Sequence, residues 1–137
     1  MPSGNKTNKE FHVPKWILNG TKDIKSNYLT GIYDCEGYIY SNKNGNKLRW
    51  RIGLEFYKNI RLIESCKLFM EQIRNLLLEF DIESSPTRLK KGNIRKDGST
   101  SGGVCFEIEK KGFENFFKYV NFHIDTKRGK LIEALKS

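Results

Sequence analysis

The chain has few of the residues and patterns that mark secreted, membrane-spanning or metal-scaffold proteins. Its three cysteines, Cys35, Cys66 and Cys105, lie at wide and irregular spacing, which excludes a zinc motif and favours reduced thiols in an intracellular protein. No apolar run approaches the roughly 20 residues of a membrane span, and the N-terminus is polar, so we expect neither a transmembrane helix nor a signal peptide. The two histidines, His12 and His123, have no neighbouring ligand set.

Acidic residues are scarce relative to basic ones. Lys and Arg number 25 against 16 Asp and Glu, so the 137-residue chain carries a net charge of +9. The basic residues cluster in 43–61, 88–96 and 110–136, which favours nucleic acid as the partner, although charge alone also fits a merely soluble basic protein. The length fits a single hydrophobic core, and we expect a flexible segment over 1–10 followed by one domain over 11–137.

Neither an internal repeat nor a low-complexity segment occurs, and one stretch stands apart, residues 29–37 with the sequence LTGIYDCEG. Its apolar residues recur at helical spacing, and Thr21 upstream is a favourable N-cap. The pattern predicts a helix over about 22–36. Gly37 is predicted to end that helix in the left-handed conformation that glycine adopts easily.

The end of this predicted helix carries an unusual set of side chains. Gly31 and Cys35 are small and four residues apart, which favours close approach of a second helix. Asp34 and Glu36 lie at the C-terminal end, where the helix dipole already places partial negative charge. Two acids at this end require a compensating cation, and a bound metal ion would supply it.

The segment after the helix predicts a β-hairpin. Tyr38 to Lys43 and Lys47 to Phe56 alternate in polarity around Asn44-Gly45, a strong turn signal. The strand face that carries Arg49 and Arg51 is either solvated, as most charged strand faces are, or a surface that reads a ligand, and Tyr38 and Tyr40 on the paired strand strengthen the second alternative. The further predicted elements are a helix over about 60–80, a strand over 84–91, a long turn over 92–103, a strand over 104–108, a short helix over 112–122 and a last helix after Asp125.

Residues 29–37 resemble the nine-residue LAGLIDADG motif of homing endonucleases, and the predicted element order is similar to that of the family's half-domain. The resemblance implies an α+β fold, an αββαββα LAGLIDADG half-domain whose curved four-stranded antiparallel sheet forms a DNA-binding saddle. One copy of the motif implies a homodimer. Residue by residue, Leu29, Gly31, Asp34 and Gly37 match the motif, Thr30, Ile32, Tyr33 and Cys35 stand at its apolar or small positions, and Glu36 falls on the catalytic acid position.

The same resemblance implies a site-specific double-stranded DNA endonuclease, an intron-encoded homing endonuclease acting on a palindromic or pseudo-palindromic site. Glu36 and the main-chain carbonyl of Cys35 would hold Mg²⁺, or another divalent cation such as Mn²⁺ or Ca²⁺, since hard cations prefer oxygen ligands. Gly31, Cys35, Thr30 and Asp34 are assigned to the dimer interface. For Asp34 the alternatives of supporting the metal site and of orienting the motif helix are both open.

The family also places a basic residue near the scissile phosphates, at the end of the fourth strand. Lys111 is favoured over Lys110 for that position. Lys58, at the junction of the second strand and the second long helix, is a weaker candidate for positioning active-site water; for all three, a solvated lysine is an equal alternative. Sequence-specific contacts are assigned to outward strand positions, and phosphate contacts to basic residues outside them. The first set is Tyr38, Tyr40, Asn42, Lys47, Arg49, Arg51, Arg88 and Lys90, and the second is Lys91, Arg95, Lys96, Lys127 and Arg128.

Two other functions fit the same fold. The chain could be an RNA maturase that assists intron splicing, in which case its partner includes RNA. It could also be a DNA-binding regulator on a LAGLIDADG scaffold without nuclease activity. The presence of Glu36 at the acid position argues against the regulator but does not separate the maturase from the endonuclease.

Overall fold

The computed structural model describes residues 12–94, 96, 98 and 100–136, so the segment over 1–10 lies outside the described residues. Helices and strands follow the predicted α+β order, with short 3₁₀ turns between some of them. No helix in these described ranges is both long enough and apolar enough to cross a membrane. The elements are α1 (Lys15–Leu18), α2 (Lys22–Glu36), β1 (Gly37–Asn44), β2 (Lys47–Asn59), α3 (Ile63–Leu78), β3 (Arg88–Ile94), β4 (Thr100–Glu107), α4 (Phe113–Asn115) and α5 (Asp125–Lys136).

The four strands form one antiparallel sheet in the order β1-β2-β4-β3. The hairpin between β1 and β2 turns at Gly45, which has a φ of 69°, the left-handed conformation expected of this turn. Side chains alternate between two faces. The inner face is apolar and packs under α2 and α3. We define the outer face as the opposite one, and its members include Tyr38, Tyr40, Asn42, Lys47, Arg49, Arg51, Glu55, Tyr57, Arg88, Lys90, Cys105 and Glu107.

Helix α3 is amphipathic, and its apolar stripe forms much of the core against the inner face. Its stripe includes Phe69, whose ring packs edge-on against Phe56 of β2 with centroids 5.4 Å apart. The side chain of Asn59 accepts a hydrogen bond from the Arg61 amide at 3.2 Å and caps the turn that leads into this helix. A 3₁₀ turn, Ile60–Leu62, precedes the α-helical part.

The second half of the sheet differs from the prediction. Its third strand begins at Arg88 rather than at 84, and Ser84 makes only an isolated bridge to Ile108. The long turn predicted over 92–103 is wrong as well, because β3 runs to Ile94 and β4 starts at Thr100. Two glycines that suggest a turn therefore lie within a strand. They allow close packing, since an added Cβ would lie 2.9 Å from Ile63 at Gly102 and 2.7 Å from the Tyr57 ring at Gly103.

The segment after β4 is more irregular than the single helix predicted over 112–122. A 3₁₀ turn and the short α4 lead into a π-helical turn, Phe116–Val120, which ends at Asn121 with a φ of 59°. This path brings the rings of Phe116 and Phe122 against Tyr33 of α2, with centroids 4.9 and 6.3 Å away. The chain is thereby directed toward the C-terminal end of α2, where α5 begins.

Candidate active site and nucleic-acid interface

Helix α2 spans Lys22–Glu36, as the sequence predicts, and the Thr21 hydroxyl accepts a hydrogen bond from the Ile24 amide at 3.3 Å. Its two small residues lie on a side of the helix that the described chain leaves uncovered. Gly31 and Cys35 are exposed, and a Cβ added at Gly31 would meet no described atom within 4 Å outside the helix itself. We call this side of α2 the open side.

Thr30 and Asp34 do not lie free on the open side. Thr30 is 4% exposed, and its hydroxyl donates to the main-chain carbonyl of Val120, with the Ser26 carbonyl 3.0 Å away. Asp34 is largely covered, and its Oδ1 accepts hydrogen bonds from the amides of His123 at 2.8 Å and Ile124 at 3.4 Å. Both side chains thus hold α2 to the C-terminal part of its own chain. For Asp34, these hydrogen bonds fit the second of its two predicted roles, which is to orient the motif helix.

Gly37 does not end α2 in the left-handed conformation. Its φ is −78° and its ψ 155°, so it is extended and starts β1 directly. The prediction of a left-handed cap is wrong, and the physical need for glycine is spatial. A Cβ at Gly37 would lie 2.6 Å from the Tyr33 carbonyl oxygen and 2.7 Å from the Tyr33 ring.

Glu36 is the last residue of α2 and is half-buried, immediately before β1. Its carboxylate and the Cys35 carbonyl are hard oxygen donors of the kind that Mg²⁺ takes. Within the described ranges, no group of three or more His, Cys, Asp or Glu side chains is placed to hold a metal ion. The donor chemistry fits a divalent cation, but one chain brings a single carboxylate from this position, so further oxygen ligands must come from elsewhere.

A cation from the protein already occupies part of this helix end. The Lys127 ammonium donates to the main-chain carbonyls of Gly37 at 2.8 Å and Asp34 at 3.0 Å, and lies 3.4 Å from that of Tyr33. It also lies 5.7 Å from the centroid of the Phe122 ring. A lysine at a helix C-terminus offsets the dipole and satisfies carbonyls that have no helical partner. Lys127 thus supplies part of the positive charge at this helix end that the sequence alone suggests would come from a metal ion.

Arg128 makes a related set of contacts. Its guanidinium donates to the carbonyls of Phe122 at 2.9 Å and His123 at 3.0 Å, so it braces the segment that leads into α5. The sequence predicts phosphate contacts for both Lys127 and Arg128. The structure commits their charged groups to main-chain carbonyls. For Lys127, periodicity gives no signal for such contacts, because its partners lie 90 to 94 residues away in the chain.

The two lysines predicted to act in catalysis lie in different surroundings. Lys58 lies on the inner-face side of β2 and is 2% exposed. It follows Leu54 by four residues in the same strand, and Leu54 pairs with Gly37 at the end of α2. Lys111 is exposed, lies in the 3₁₀ turn after β4, and pairs with the carboxylate of Glu83, which raises the pKa of Lys111. Their catalytic roles stay predictions.

The eight positions predicted to make sequence-specific contacts share the outer face. Cross-strand pairs join Tyr40 to Arg51 and Asn42 to Arg49, and directly opposed residues in an antiparallel sheet point to the same side. The β4 register brings Arg88 and Lys90 to that side as well. The backbone of Lys91 pairs with Gly102 in the β3–β4 register, Lys96 is exposed, and Arg95 falls outside the described residues.

Two carboxylates interrupt the basic outer face. Glu107 accepts hydrogen bonds from the Tyr38 hydroxyl at 2.9 Å and from Arg51 Nη1 at 3.1 Å. Glu55 pairs with Lys90 at 3.1 Å and raises the pKa of that lysine. Burial raises the pKa of Tyr38, and the hydrogen bond and charge of Glu107 raise it further. The sequence places Glu107 on a strand but does not predict this Tyr38–Glu107–Arg51 cluster.

A family model described as a LAGLIDADG-like domain matches residues 23–121, well over half of the chain, from the first turn of α2 to the end of the π-helical turn. This chain belongs to the LAGLIDADG family. The match confirms the family and the half-domain fold expected from residues 29–37.

Similar curated proteins have unrelated names. This LAGLIDADG chain is 30% identical over 128 residues to the tRNA-splicing ligase RtcB of Pyrococcus furiosus, covering 93% of the chain and 12% of that protein. It is 30% identical to the glutamine–fructose-6-phosphate aminotransferase of Methanocaldococcus jannaschii, covering 93% and 10%, and 32% identical to the replication factor C small subunit of the same organism, covering 86% and 6%. The chain therefore spans only a small part of each relative.

Among solved structures, the LAGLIDADG homing endonuclease I-GzeII in complex with its DNA target is similar at 22% identity and a TM-score of 0.32. The similarity covers 67% of this chain and 28% of that one.

Proposed function

We propose that this LAGLIDADG chain is a site-specific double-stranded DNA endonuclease that acts as a homodimer and depends on a divalent cation. One juxtaposition carries the proposal. Helix α2 ends at Glu36, and β1 begins at the next residue and contributes to the basic outer face. A duplex held on the outer face would lie near the motif acid, which is the arrangement that cleavage of the bound site requires.

The homodimer is proposed because the open side of α2 offers small residues without cover. Gly31 and Cys35 would let the motif helix of a second copy approach closely, and the two Glu36 carboxylates would then lie near one another. Each chain brings only one carboxylate, that of Glu36, from this position, and a second copy would bring another. In the dimer on DNA, a second Glu36 and phosphate oxygens would complete the oxygen donor set.

Each Glu36 carboxylate, with the Cys35 carbonyl, would hold Mg²⁺ or a similar divalent cation. When bound, that cation would supply water activation and charge stabilisation at the leaving oxygen, as in other phosphodiester hydrolases. The role of the chain is to fix the carboxylate at the helix end and to hold the duplex. Lys111 stays a candidate for a contact near the scissile phosphates, and Lys58 stays a candidate for positioning active-site water.

Recognition is proposed for the outer face, where Arg and Asn side chains can make bidentate contacts with base edges. Arg51 and Lys90 are already paired with Glu107 and Glu55, so DNA would have to compete for their charge. Arg49 and Lys47 lie toward the hairpin. We therefore assign the strongest electrostatic contacts to the hairpin end of the outer face.

The variety of the similar proteins supports an endonuclease that is encoded by a mobile genetic element. A ligase, an aminotransferase and a replication factor share with this chain a segment that is 6 to 12% of their length. Since their named activities have nothing in common, the shared segment must serve a function independent of them. An endonuclease that promotes insertion of its own coding sequence into unrelated genes accounts for this distribution.

The test is cleavage of a randomised duplex library with Mg²⁺, with the wild type compared to Glu36→Gln. We expect discrete cut sites with the wild type and a rate reduced by at least about 100-fold in the variant, while duplex affinity in EDTA is unchanged. Glu133→Gln is the matched control, because Glu133 is an exposed acid of α5. Tight specific duplex binding without cleavage would instead support the regulator, and binding only to structured intron RNA would support the maturase.

A further inference from the structure

The cluster around Lys127 is the most fully connected polar group at the end of α2. An ammonium has three donors and no acceptor, and that of Lys127 has three main-chain carbonyls around it at 2.8, 3.0 and 3.4 Å. Its donors are therefore used within the chain. A phosphate contact from this side chain would require the hydrogen bonds to the helix end to break.

The contacts at this end run in both directions. Lys127 of α5 donates to carbonyls of α2 and of the first residue of β1. In return, the Asp34 carboxylate of α2 accepts the amides of His123 and Ile124 just before α5. Arg128 braces the same segment through the Phe122 carbonyl. The end of α2 and the start of α5 thus hold each other through charge-assisted hydrogen bonds, which are stronger than neutral ones.

Glu36 lies between the residues whose carbonyls Lys127 contacts. The three acceptors of Lys127 belong to residues 33, 34 and 37, so they flank Cys35 and Glu36 on both sides. Fixing the carbonyls on either side restricts the backbone dihedrals of the two residues between them. Lys127 therefore contacts the backbone on both sides of Glu36 and can influence the direction in which its side chain leaves the helix.

We propose that Lys127 is a positioning residue for Glu36 rather than a contact to DNA phosphate. This inference rests on the proposed endonuclease function, since it assigns Glu36 the catalytic acid position. The two possible roles of Lys127 predict different measurements. A phosphate contact governs affinity and its salt dependence, whereas a positioning residue governs the rate at which bound DNA is cut.

The metal-free measurement uses Lys127→Met and a nonspecific duplex in EDTA across a range of salt concentrations. We expect a slope of log affinity against log salt equal to that of the wild type. Lys47→Met, on the outer face, is the positive control and should reduce the slope by about 0.9. Lys130→Met is the matched control, because Lys130 is an exposed lysine three residues further along α5. A slope reduced in K127M as much as in K47M overturns the proposal.

The second measurement is the single-turnover rate on a duplex recovered from the library, at saturating enzyme and Mg²⁺. We expect K127M to cut at least about tenfold more slowly with unchanged affinity, and K130M to cut at the wild-type rate. Lys127→Arg should also cut more slowly, because a planar guanidinium cannot reproduce three donors arranged around one nitrogen. If K127M fails to fold, K127R decides, and a wild-type rate in K127R overturns the proposal.

The outcomes separate this inference from the function on which it rests. A wild type that cuts, together with a K127M variant that cuts equally fast, overturns the positioning role alone. A wild type that cuts no duplex overturns the proposed function, and the positioning role falls with it. A slow K127M variant with wild-type affinity and salt slope supports both.

Discussion

Among single residues, Glu107 is an acid of the outer face that holds two of its predicted DNA-contacting side chains. Its carboxylate accepts from Tyr38 and Arg51 at once, and the Arg51–Glu107 pair is less than one third exposed on either side. In Glu107→Gln the shape is kept and the ion pair is lost. We expect the free energy of unfolding to fall by about 1 kcal/mol and nonspecific duplex binding to tighten, measured by urea denaturation and fluorescence anisotropy.

The E107Q variant should also change the titration of the Tyr38 hydroxyl. Burial is the largest cause of the raised Tyr38 pKa, followed by the hydrogen bond and charge of Glu107, so the Tyr38 pKa should fall but remain above its ordinary value. A phenol whose folded pKa is raised stabilises the fold fully below the unfolded pKa, near 10. That contribution is lost as pH rises through the folded value. Absorbance titration of the phenolate measures the change, E133Q serves as control, and an unmoved Tyr38 titration would contradict the cluster.

Single residues also mark how far the sequence predicts the candidate site. The motif alone is sufficient to place Glu36 at the end of α2, and alternation alone places Arg49 and Arg51 on one strand face. Neither pattern predicts Lys127, because its partners lie about 90 residues away in the chain and depend on the path of the segment before α5. A basic residue in a basic cluster suggests DNA, and only the fold distinguishes it from a helix-end cation.

At the scale of elements, the open side of α2 predicts the assembly of the protein. Gly31→Leu should stabilise the monomer, since an added Cβ meets no described atom outside the helix within 4 Å and Leu favours a helix by about 0.8 kcal/mol over Gly. The longer side chain should nevertheless block a second α2. We expect sedimentation equilibrium to shift from dimer to monomer, with loss of cleavage. Gly129→Leu is a matched control on α5, where an added Cβ is also free of described contacts.

Elements differ in how well local pattern predicts them. Helices α2 and α3 and the first hairpin agree with the prediction because each has a clear period and a strong cap or turn signal. The second hairpin does not, because glycines at 102 and 103 suggest a turn, whereas both lie in β4, where Ile63 and Tyr57 leave no room for an added Cβ. The π-helical turn at Phe116–Val120 has no sequence signature, since aromatic packing on Tyr33 determines it.

For the Gly31→Leu prediction, a dimer retained in G31L would show that the open side is not the interface.

For the whole molecule, the distribution of charge matters more than its sum. The chain has a net charge of +9, and if binding depended only on that sum, removing any two exposed positive charges would weaken DNA binding equally. The proposed function instead predicts that Lys47 and Arg49, at the hairpin end of the outer face, contact the duplex, and that exposed charges on α3 and α5 do not. Replacing Lys47 and Arg49 together by Gln should lower the slope of log affinity against log salt by about 1.8, or 0.9 for each contact.

The matched variant replaces Lys67 of α3 and Lys130 of α5 by Gln, which changes the net charge by the same amount. Both residues are exposed and lie on helices rather than on the outer face. We expect this variant to keep the wild-type slope, because charges beyond a Debye length of about 10 Å from DNA at 0.1 M salt are largely screened. Anisotropy titrations of one labelled duplex at several salt concentrations give both slopes. Equal losses in the two variants would mean that the protein binds DNA through diffuse charge, and the outer face would lose its assigned role.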